Sequence, residues 1–268
     1  MTAFQLGPFV LSAPRFYAGL GLLVLVLVAE LRRPDAGWAW AAALAVFAGA
    51  RLGYVVENLA LFARDPVAVL QFWQGGFSPW WGVALGAVVV TWAVWRGHVS
   101  FAGAALPAVL ALATWLVVPA LFTAAPVTPH VLPSLTLETL AGDELDVGTL
   151  QGQPVVINLW ATWCPPCRRE LPMMEAAARS SPDVRFVFAD QAEPRDTVAR
   201  YLEEQGLRLE TVVLDDHARL GSEFGSVGLP TTLFFDSEGD HVLTRFGEIS
   251  SVAMANYISD LRSGSTTP

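Results

Sequence analysis

The stretch that decides the fold of the second half of this chain reads PVVINLWATWCPPCRRELP over residues 154–172. Residues 155–160 form a continuous apolar run rich in β-branched residues, which is typical of a central strand covered on both faces. Cys164 and Cys167 follow at Cys-x-x-Cys spacing, and we expect a helix over about 165–179. A cysteine pair at the junction of a strand and a helix indicates a redox-active disulfide.

Apolar segments alternate with helical ones on both sides of this stretch. The pattern predicts further strands at 135–140, 184–189, 211–214, 231–235 and 241–245, and further helices at 194–205 and 250–262. Residues 141–144 are predicted as a turn, and residues 237–240 as a hairpin turn into the strand at 241–245. Buried strands that alternate with helices indicate an α/β sandwich with parallel pairing.

The first half of the chain is almost wholly apolar and predicts a membrane domain. Its apolar runs are each near the ~20 residues needed to cross the hydrocarbon core, and they lie at 16–31, 38–57, 79–95 and 101–123. The segment 65–73 is too short to span and is predicted as a short helix in the interface. We therefore divide the chain into an all-α transmembrane domain of about four spans (1–125), a Pro-rich linker (126–134) and a second domain (135–264).

Arginines next to the apolar runs predict the orientation of the chain in the membrane. Arg32 and Arg33 follow the first run and Arg96 follows the third, so these two loops are expected in the cytoplasm. Both termini, and with them the second domain, then face the periplasm from a multi-pass position in the inner membrane. A cleavable signal peptide would need a small-residue cleavage site where Arg32 and Arg33 stand.

Part of the membrane domain, about residues 45–95, resembles the prolipoprotein diacylglyceryl transferase family. The resemblance rests on GARLGY at 49–54, Asp65-Pro66, and WQGGFS at 73–78. In that family the Gly-Gly motif continues into a functionally important His, and Trp80 stands at that position here. The resemblance implies a truncated region without transferase activity that serves as an anchor or docking surface. An unrelated apolar four-helix anchor is the alternative.

The Cys-x-x-Cys motif is compatible with several chemistries, and the sequence separates them. A zinc site needs about four ligands, whereas the chain has two cysteines and four histidines without paired spacing. Attachment of haem needs Cys-x-x-Cys-His, and Arg168 follows the second cysteine. We expect neither a metal nor a cofactor, and a redox-active pair or an inert structural disulfide remain.

Residues of about 132–262 resemble the TlpA/ResA-like branch of the thioredoxin-like family. The matching motifs are WATWCPPCRRELP at 160–172 and GLPTT at 228–232. The resemblance implies a thioredoxin-like α/β fold with a cis proline at Pro230 opposite the cysteines. The backbone of Leu229 is then free to pair with an extended substrate peptide, and Trp163 is a second substrate contact.

The resemblance also implies roles for the cysteines and for an acid near them. Cys164 attacks from the positive end of a helix, where its sulfur is expected to be exposed, and Cys167 lies one turn inward as the resolving thiol. Glu170 corresponds to an acidic residue of that branch and is assigned to proton transfer with Cys167. A solvated helix charge is the alternative for Glu170.

Two prolines between the cysteines favour one direction of electron flow. Pro165 and Pro166 have no N–H groups, so the helix start offers few donors to a Cys164 thiolate. We expect the pKa of Cys164 to be only modestly lowered, and the pair to be a reductant.

These observations predict a membrane-anchored protein-disulfide reductase outside the cytoplasm, for example in cytochrome c maturation or metal-site assembly. The expected partners are protein disulfides, the lipid bilayer and a separate membrane thiol donor of DsbD or CcdA type, because residues 1–125 contain no cysteine. Nucleic acid is not expected, because the second domain is acidic. The alternatives are a thiol oxidase or isomerase of exported proteins, a lipoprotein-processing membrane protein with an accessory thioredoxin domain, and a module that binds partners without turnover.

Overall fold

The computed structural model describes residues 3–6, 9–33, 35–63, 65–122 and 131–264, with the backbone alone for 3–12 and Phe122. The chain divides into two compact units, one of residues 13–126 and one of residues 127–268 together with 1–12. Residues 126–130 of the predicted linker (126–134) lie outside the described residues.

The membrane unit (13–126) consists of apolar helices joined by short loops. The helices are α1 (Ala13–Arg32), α2 (Gly37–Glu57), α3 (Leu59–Phe62), α4 (Pro79–Trp95) and α5 (Phe101–Phe122), and two 3-10 turns lie at Pro66–Val69 and Phe72–Gln74. Among the described residues, α1, α2 and α5 are long and apolar enough to cross a membrane, and α4 is a shorter apolar helix of 17 residues. The short interfacial helix predicted at 65–73 is instead these two separate turns.

Close approach of helix backbones holds the membrane unit together. Helix α1 packs on α5, and α2 packs on α4. A Cβ atom at Gly53 would lie 2.1 Å from Cγ of Trp81, and one at Gly49 would lie 2.9 Å from Cβ of Leu85. Glycine at these positions of α2 therefore lets α4 come close, as is usual for helices packed in a membrane.

One buried arginine organises the loop between α3 and α4. Arg51, only 7% exposed, donates from Nη1 to the carbonyls of Gly75 (2.6 Å) and Gly76 (2.9 Å), from Nε to that of Val69 (3.2 Å), and from Nη2 to that of Ala68. Both glycines have positive φ, which side chains rarely allow. The Gly-Gly pair thus turns two consecutive carbonyls onto one guanidinium group.

The thioredoxin unit (131–264 of the described residues) is a sheet with helices on both faces. Its strands are β3 (Thr136–Thr139), β4 (Glu144–Asp146), β5 (Val155–Trp160), β6 (Arg185–Gln191), β7 (Val212–Asp215), β8 (Thr231–Phe235) and β9 (His241–Phe246), in the order β4-β3-β7-β6-β5-β8-β9. Its helices are α6 (Pro165–Ser180), α7 (Arg195–Gln205), α8 (Arg219–Glu223) and α9 (Ser251–Ser263). A separate hairpin of β1 (Ala3–Leu6) and β2 (Phe9–Ser12), which the sequence did not predict, belongs to the same unit.

The sheet is mixed, which corrects the prediction of parallel pairing. Strands β5, β6 and β7 are parallel, whereas β8, β9, β3 and β4 pair antiparallel with their neighbours. The structure also contains β4, where a turn was predicted to end, and the short helix α8. Both are too short to give a clear periodic pattern.

All six residues of β5 are buried, as its apolar sequence predicts. Val156 and Trp160 face one core cluster, and Ile157 and Leu159 face the other. Because β5 is central and leads directly into α6, its carboxyl end fixes the position of the cysteine pair within the fold.

Candidate active site

The two cysteines form a disulfide bond at the N-terminus of α6. The sulfur atoms are 1.99 Å apart, and Cys164 caps the helix by accepting a hydrogen bond from the Cys167 amide (3.3 Å). Since Pro165 and Pro166 have no N–H groups, this amide is the first one in α6 that can reach the Cys164 sulfur. The capping geometry thus leaves the sulfur with the limited set of donors that the sequence suggests.

The structure corrects the expectation that the Cys164 sulfur is exposed. In the disulfide-bonded state Cys164 is 2% exposed, and Cys167 is fully buried. Both belong to the core cluster that also contains Trp160 and Leu171. The sequence could not indicate this burial, because it arises from the packing of α6 on the sheet.

Glu170 lies one turn beyond Cys167 on α6 and is 2% exposed, so it is not a solvated helix charge. Its Oε1 accepts a hydrogen bond from Nδ2 of Asn158 (2.9 Å), and its Oε2 accepts one from the Ile249 amide (3.1 Å). Burial raises the pKa of Glu170 to about 8, although these two hydrogen bonds act in the opposite direction. Glu170 therefore carries a proton at neutral pH. Residues three apart on a helix lie on one face, so this proton is close to Cys167.

The loop before β8 lies at the same end of the sheet as the cysteines. The Leu229–Pro230 peptide bond is cis, and Thr231 pairs with Leu159 of β5, next to the residue from which the chain leaves for Cys164. The hydroxyl of Thr231 donates to the carbonyl of Gly228 (2.6 Å), which holds the loop closed. The structure thus brings Leu229 and Pro230 to the end of β5 that precedes the cysteine pair.

Exposed apolar side chains are scarce in the thioredoxin unit, and two of them belong to the segments that carry the site. Among its described residues, the large exposed hydrophobics are Val131, Trp163 (66% exposed) and Val227. Trp163 directly precedes Cys164, and Val227 precedes the loop with the cis peptide bond. Trp163 is the more exposed of these two side chains, and it directly precedes the nucleophile predicted from the sequence.

Two acids that the sequence analysis missed also contact the site. Glu193 accepts hydrogen bonds from the amide (2.5 Å) and the hydroxyl (2.6 Å) of Thr162, two residues before Cys164. Asp190 is fully buried and accepts a hydrogen bond from the Glu193 amide (3.1 Å). Burial raises the pKa of Asp190 to about 8, and the neighbouring Glu193 acts in the same direction. The carboxyl end of parallel strand β6 was the sequence signal for these acids, since functional side chains gather there.

Two arginines lie on α6 directly after the cysteine pair. Arg168 lies over the ring of Tyr201, 5.5 Å from its centroid, and that ring packs on Trp160 at 5.8 Å. Arg169 forms an ion pair with Glu248 (2.7 Å). Among the residues that the structure describes, no group of three His, Cys, Asp or Glu side chains is arranged to hold a metal ion.

Each unit matches the sequence model of a known family. The sequence model of the AhpC/TSA family matches residues 129–241, and that of prolipoprotein diacylglyceryl transferase matches residues 3–123. The thiol-disulfide oxidoreductase ResA of Halalkalibacterium halodurans is 29% identical over 127 residues, which are 47% of this chain and 72% of the relative. ResA of Bacillus subtilis is 28% identical over 137 residues, 50% of this chain and 76% of the relative.

A further relative and a solved structure cover the same region. The thiol:disulfide interchange protein DsbE of Vibrio cholerae is 29% identical over 122 residues, 45% of this chain and 65% of the relative. The structure of MTB DsbF is 25% identical with a TM-score of 0.47, and the match covers 50% of this chain and 99% of that one. The predicted fold class, an α/β thioredoxin-like domain after apolar membrane helices, is confirmed. The chain therefore contains a membrane region that matches the model of prolipoprotein diacylglyceryl transferase, followed by a thioredoxin-like domain that matches the AhpC/TSA model and is similar to ResA and DsbE.

Proposed function

We propose that this chain is a membrane-anchored thiol–disulfide oxidoreductase that reduces disulfide bonds of proteins outside the cytoplasm. The observation that carries the proposal is the Cys164–Cys167 disulfide at the N-terminus of α6, beside a buried acid with a raised pKa. The similarity to ResA and DsbE, whose names describe thiol–disulfide exchange, supports the same activity.

The exchange proceeds in two steps from the reduced protein. The Cys164 thiolate attacks one sulfur of the substrate disulfide, forms a mixed disulfide and releases the other sulfur as a thiolate that takes up a proton. Cys167 then loses its proton and attacks the Cys164 sulfur, which restores the disulfide seen in the structure and releases the second substrate thiol. Two electrons thus pass from the cysteine pair to the substrate.

Glu170 is the group proposed to move a proton at Cys167. Cys167 must be deprotonated to resolve the mixed disulfide, and it is fully buried, so solvent has no direct access to it. Glu170 lies one helical turn away and has a pKa near the working range of proton transfer. With a pKa of about 8, a minority of molecules have Glu170 ionised at neutral pH, and in these molecules the carboxylate accepts the Cys167 proton. The hydrogen bonds from Asn158 and from the Ile249 amide hold the carboxyl group in place.

Substrate docking is assigned to the surface around the cysteines. Trp163 offers an exposed apolar side chain, and the cis peptide bond at Pro230 leaves Leu229 at the edge of the site. An extended segment of the substrate pairs with the backbone of Leu229 and presents its disulfide to Cys164.

Reduction is the favoured direction because of the prolines. A thiolate with few amide donors is stabilised little, and a reduced form that is stabilised little has a low reduction potential. Residues 1–125 contain no cysteine, so a separate membrane thiol donor of DsbD or CcdA type is proposed to reduce the pair again.

We also propose that α1, α2, α4 and α5 all span the membrane, with the thioredoxin unit in the periplasm. The apolar helices and the match to a membrane-protein family support the membrane location.

Two measurements on the full chain in detergent test these statements. Reduced protein should reduce insulin, and its potential, measured by equilibration with glutathione, should be well below the roughly −120 mV of DsbA. A potential near that of DsbA would make the protein an oxidant. In spheroplasts, a membrane-impermeant maleimide should label the reduced pair, and labelling only after lysis would place the thioredoxin unit in the cytoplasm.

A further inference from the structure

The segment that joins β5 to the cysteine pair is held from the side by one carboxylate. Thr162 donates two hydrogen bonds to Glu193, one from its amide to Oε2 (2.5 Å) and one from its hydroxyl to Oε1 (2.6 Å). Two residues later, Cys164 donates its amide to the carbonyl of Ala161 (3.2 Å) and closes a turn. The backbone on both sides of Trp163 is therefore fixed, whereas the side chain of Trp163 extends into solvent.

Glu193 is in turn held by the end of β6. Its amide donates to Oδ1 of Asp190, and Ala192 between them has a φ of +63°, in the left-handed region. Residues with a side chain rarely adopt this conformation. Such strain persists where the surrounding structure requires a particular placement. Here the conformation of Ala192 brings the carboxyl group of Glu193 to Thr162.

Asp190 and Glu193 place two carboxyl groups next to each other. Two adjacent carboxyl groups cannot both be ionised at low cost. Asp190 is the more buried of the two, its pKa is raised to about 8, and it therefore holds a proton at neutral pH. Glu193 accepts the two hydrogen bonds from Thr162 through its two carboxyl oxygens.

We propose that Glu193, supported by Asp190, is a positioning residue that fixes Thr162 and so presents Trp163 beside Cys164 for the docking of protein substrates. This inference rests on the proposed function, because it assigns Trp163 to the docking surface of that exchange. Glu193 acts through Thr162, so its loss should weaken the binding of a protein disulfide and leave the chemistry at the sulfurs unchanged.

The test compares two substrates with the full chain in detergent. Glu193→Ala should raise KM for insulin by up to several-fold at little change in kcat, because a displaced Trp163 loses at most the one apolar contact that Trp163→Ala removes. Its kcat/KM for a small aromatic disulfide, which does not use the docking surface, should stay within about two-fold of wild type. Glu204→Ala removes the same charge from an exposed position of α7 and should change neither value.

Two more variants separate positioning from a loss of folding. In Glu193→Gln, the amide oxygen can accept from the Thr162 amide, and the amide nitrogen can donate to the Thr162 hydroxyl. KM for insulin should therefore return most of the way to the wild-type value. In a Trp163→Ala background, Glu193→Ala should have no further effect on insulin, because both changes act on one contact.

Three results would overturn the inference while leaving the proposed function intact. These are equal losses with both substrates, no loss with either, and additive effects of the Trp163 and Glu193 changes. If wild-type protein reduces neither substrate, the proposed function fails instead.

Discussion

Each unit of this chain buries an ionisable side chain, and the two surroundings have opposite consequences for its proton. Arg51 of the membrane unit is surrounded by four backbone carbonyls and by the rings of Phe62 and Phe77. Glu170 of the thioredoxin unit accepts two hydrogen bonds, yet burial still raises its pKa to about 8. Arginine keeps its proton in all protein environments, whereas a carboxyl group with a raised pKa exchanges its proton near neutral pH.

This difference indicates which of the two side chains takes part in chemistry and which has a structural role. A cation saturated by carbonyls stabilises one loop conformation and has little capacity left for a ligand. A buried acid next to a dithiol can give and take the proton that disulfide exchange requires. We therefore assign the chemistry to the thioredoxin unit and a scaffold role to Arg51.

The largest expected effect is the loss of exchange in Cys164→Ser. Serine is a far weaker nucleophile at neutral pH, so insulin reduction should fall by at least about a thousand-fold. The bond closes a very small loop, so its loss should change the thermal stability of the thioredoxin unit only a little. Substantial remaining activity would mean that Cys164 is not the nucleophile.

The next effect should appear in the membrane unit alone. Arg51→Met removes the donors of buried carbonyls, which should lower the free energy of unfolding of that unit by about 3–5 kcal/mol. Limited proteolysis in detergent at rising temperature measures this loss. Insulin reduction per folded molecule should stay unchanged.

Arg96→Met is the matched control, because Arg96 is exposed at the end of α4 and should tolerate the change. If Arg51→Met and Arg96→Met lose protease resistance at the same temperature, the scaffold role of Arg51 is contradicted. Reduced exchange in Arg51→Met at full folding would contradict the separation of roles between the units.

A smaller effect concerns the dependence of stability on pH. The folded-state pKa of Glu170 is raised, so the folded state binds more protons than the unfolded state between pH 4.5 and about 8. The stability of the thioredoxin unit should therefore be complete below pH 4.5 and fall as pH rises through 8. In Glu170→Gln this fall should shrink by an amount on the order of a few kcal/mol.

Urea unfolding at pH 5 and pH 8.5 measures the change, with Glu204→Gln on exposed α7 as the control. Asp190 has a raised pKa of the same sign, so some pH dependence should remain in Glu170→Gln. An unchanged pH dependence in that variant would show that Glu170 is ionised in the folded protein.

The smallest effect compares two exposed tryptophans, one in each unit. Trp163→Ala should raise KM for insulin several-fold, as the loss of one apolar contact of about 1 kcal/mol predicts. Trp80→Ala should have no effect on insulin reduction, although Trp80 is 77% exposed. If both variants behave alike, exposure of Trp163 is unrelated to substrate docking.

Much of this arrangement could be predicted from local sequence, and the missing parts are those that depend on distant contacts. The apolar run of β5, the prolines at the start of α6 and the long membrane helices each carry their own signal. The hairpin turn at 237–240 indicated the antiparallel pairing of β8 with β9. The short apolar run of β8 resembles that of a parallel strand, so its antiparallel pairing with β5 could not be distinguished.

The side-chain contacts of the two units were also not predictable from the sequence, because they join residues that are far apart in the chain. Glu193 and Thr162 are 31 residues apart, and Arg51 meets carbonyls 17 to 25 residues away. Neither periodicity nor composition predicts which side chains meet across such distances. Burial of Cys164 likewise follows from the packing of α6 on the sheet, and sequence position alone suggested an exposed sulfur.

The most direct test of the central claim is to trap the exchange halfway. Full-length Cys167→Ser, reduced and mixed with insulin, cannot resolve the first adduct, and peptide mapping by mass spectrometry identifies the linked residues. We predict a stable mixed disulfide between insulin and Cys164, absent from Cys164→Ser. No adduct on Cys164, or an adduct of equal yield on Cys167 in the Cys164→Ser protein, would contradict the account.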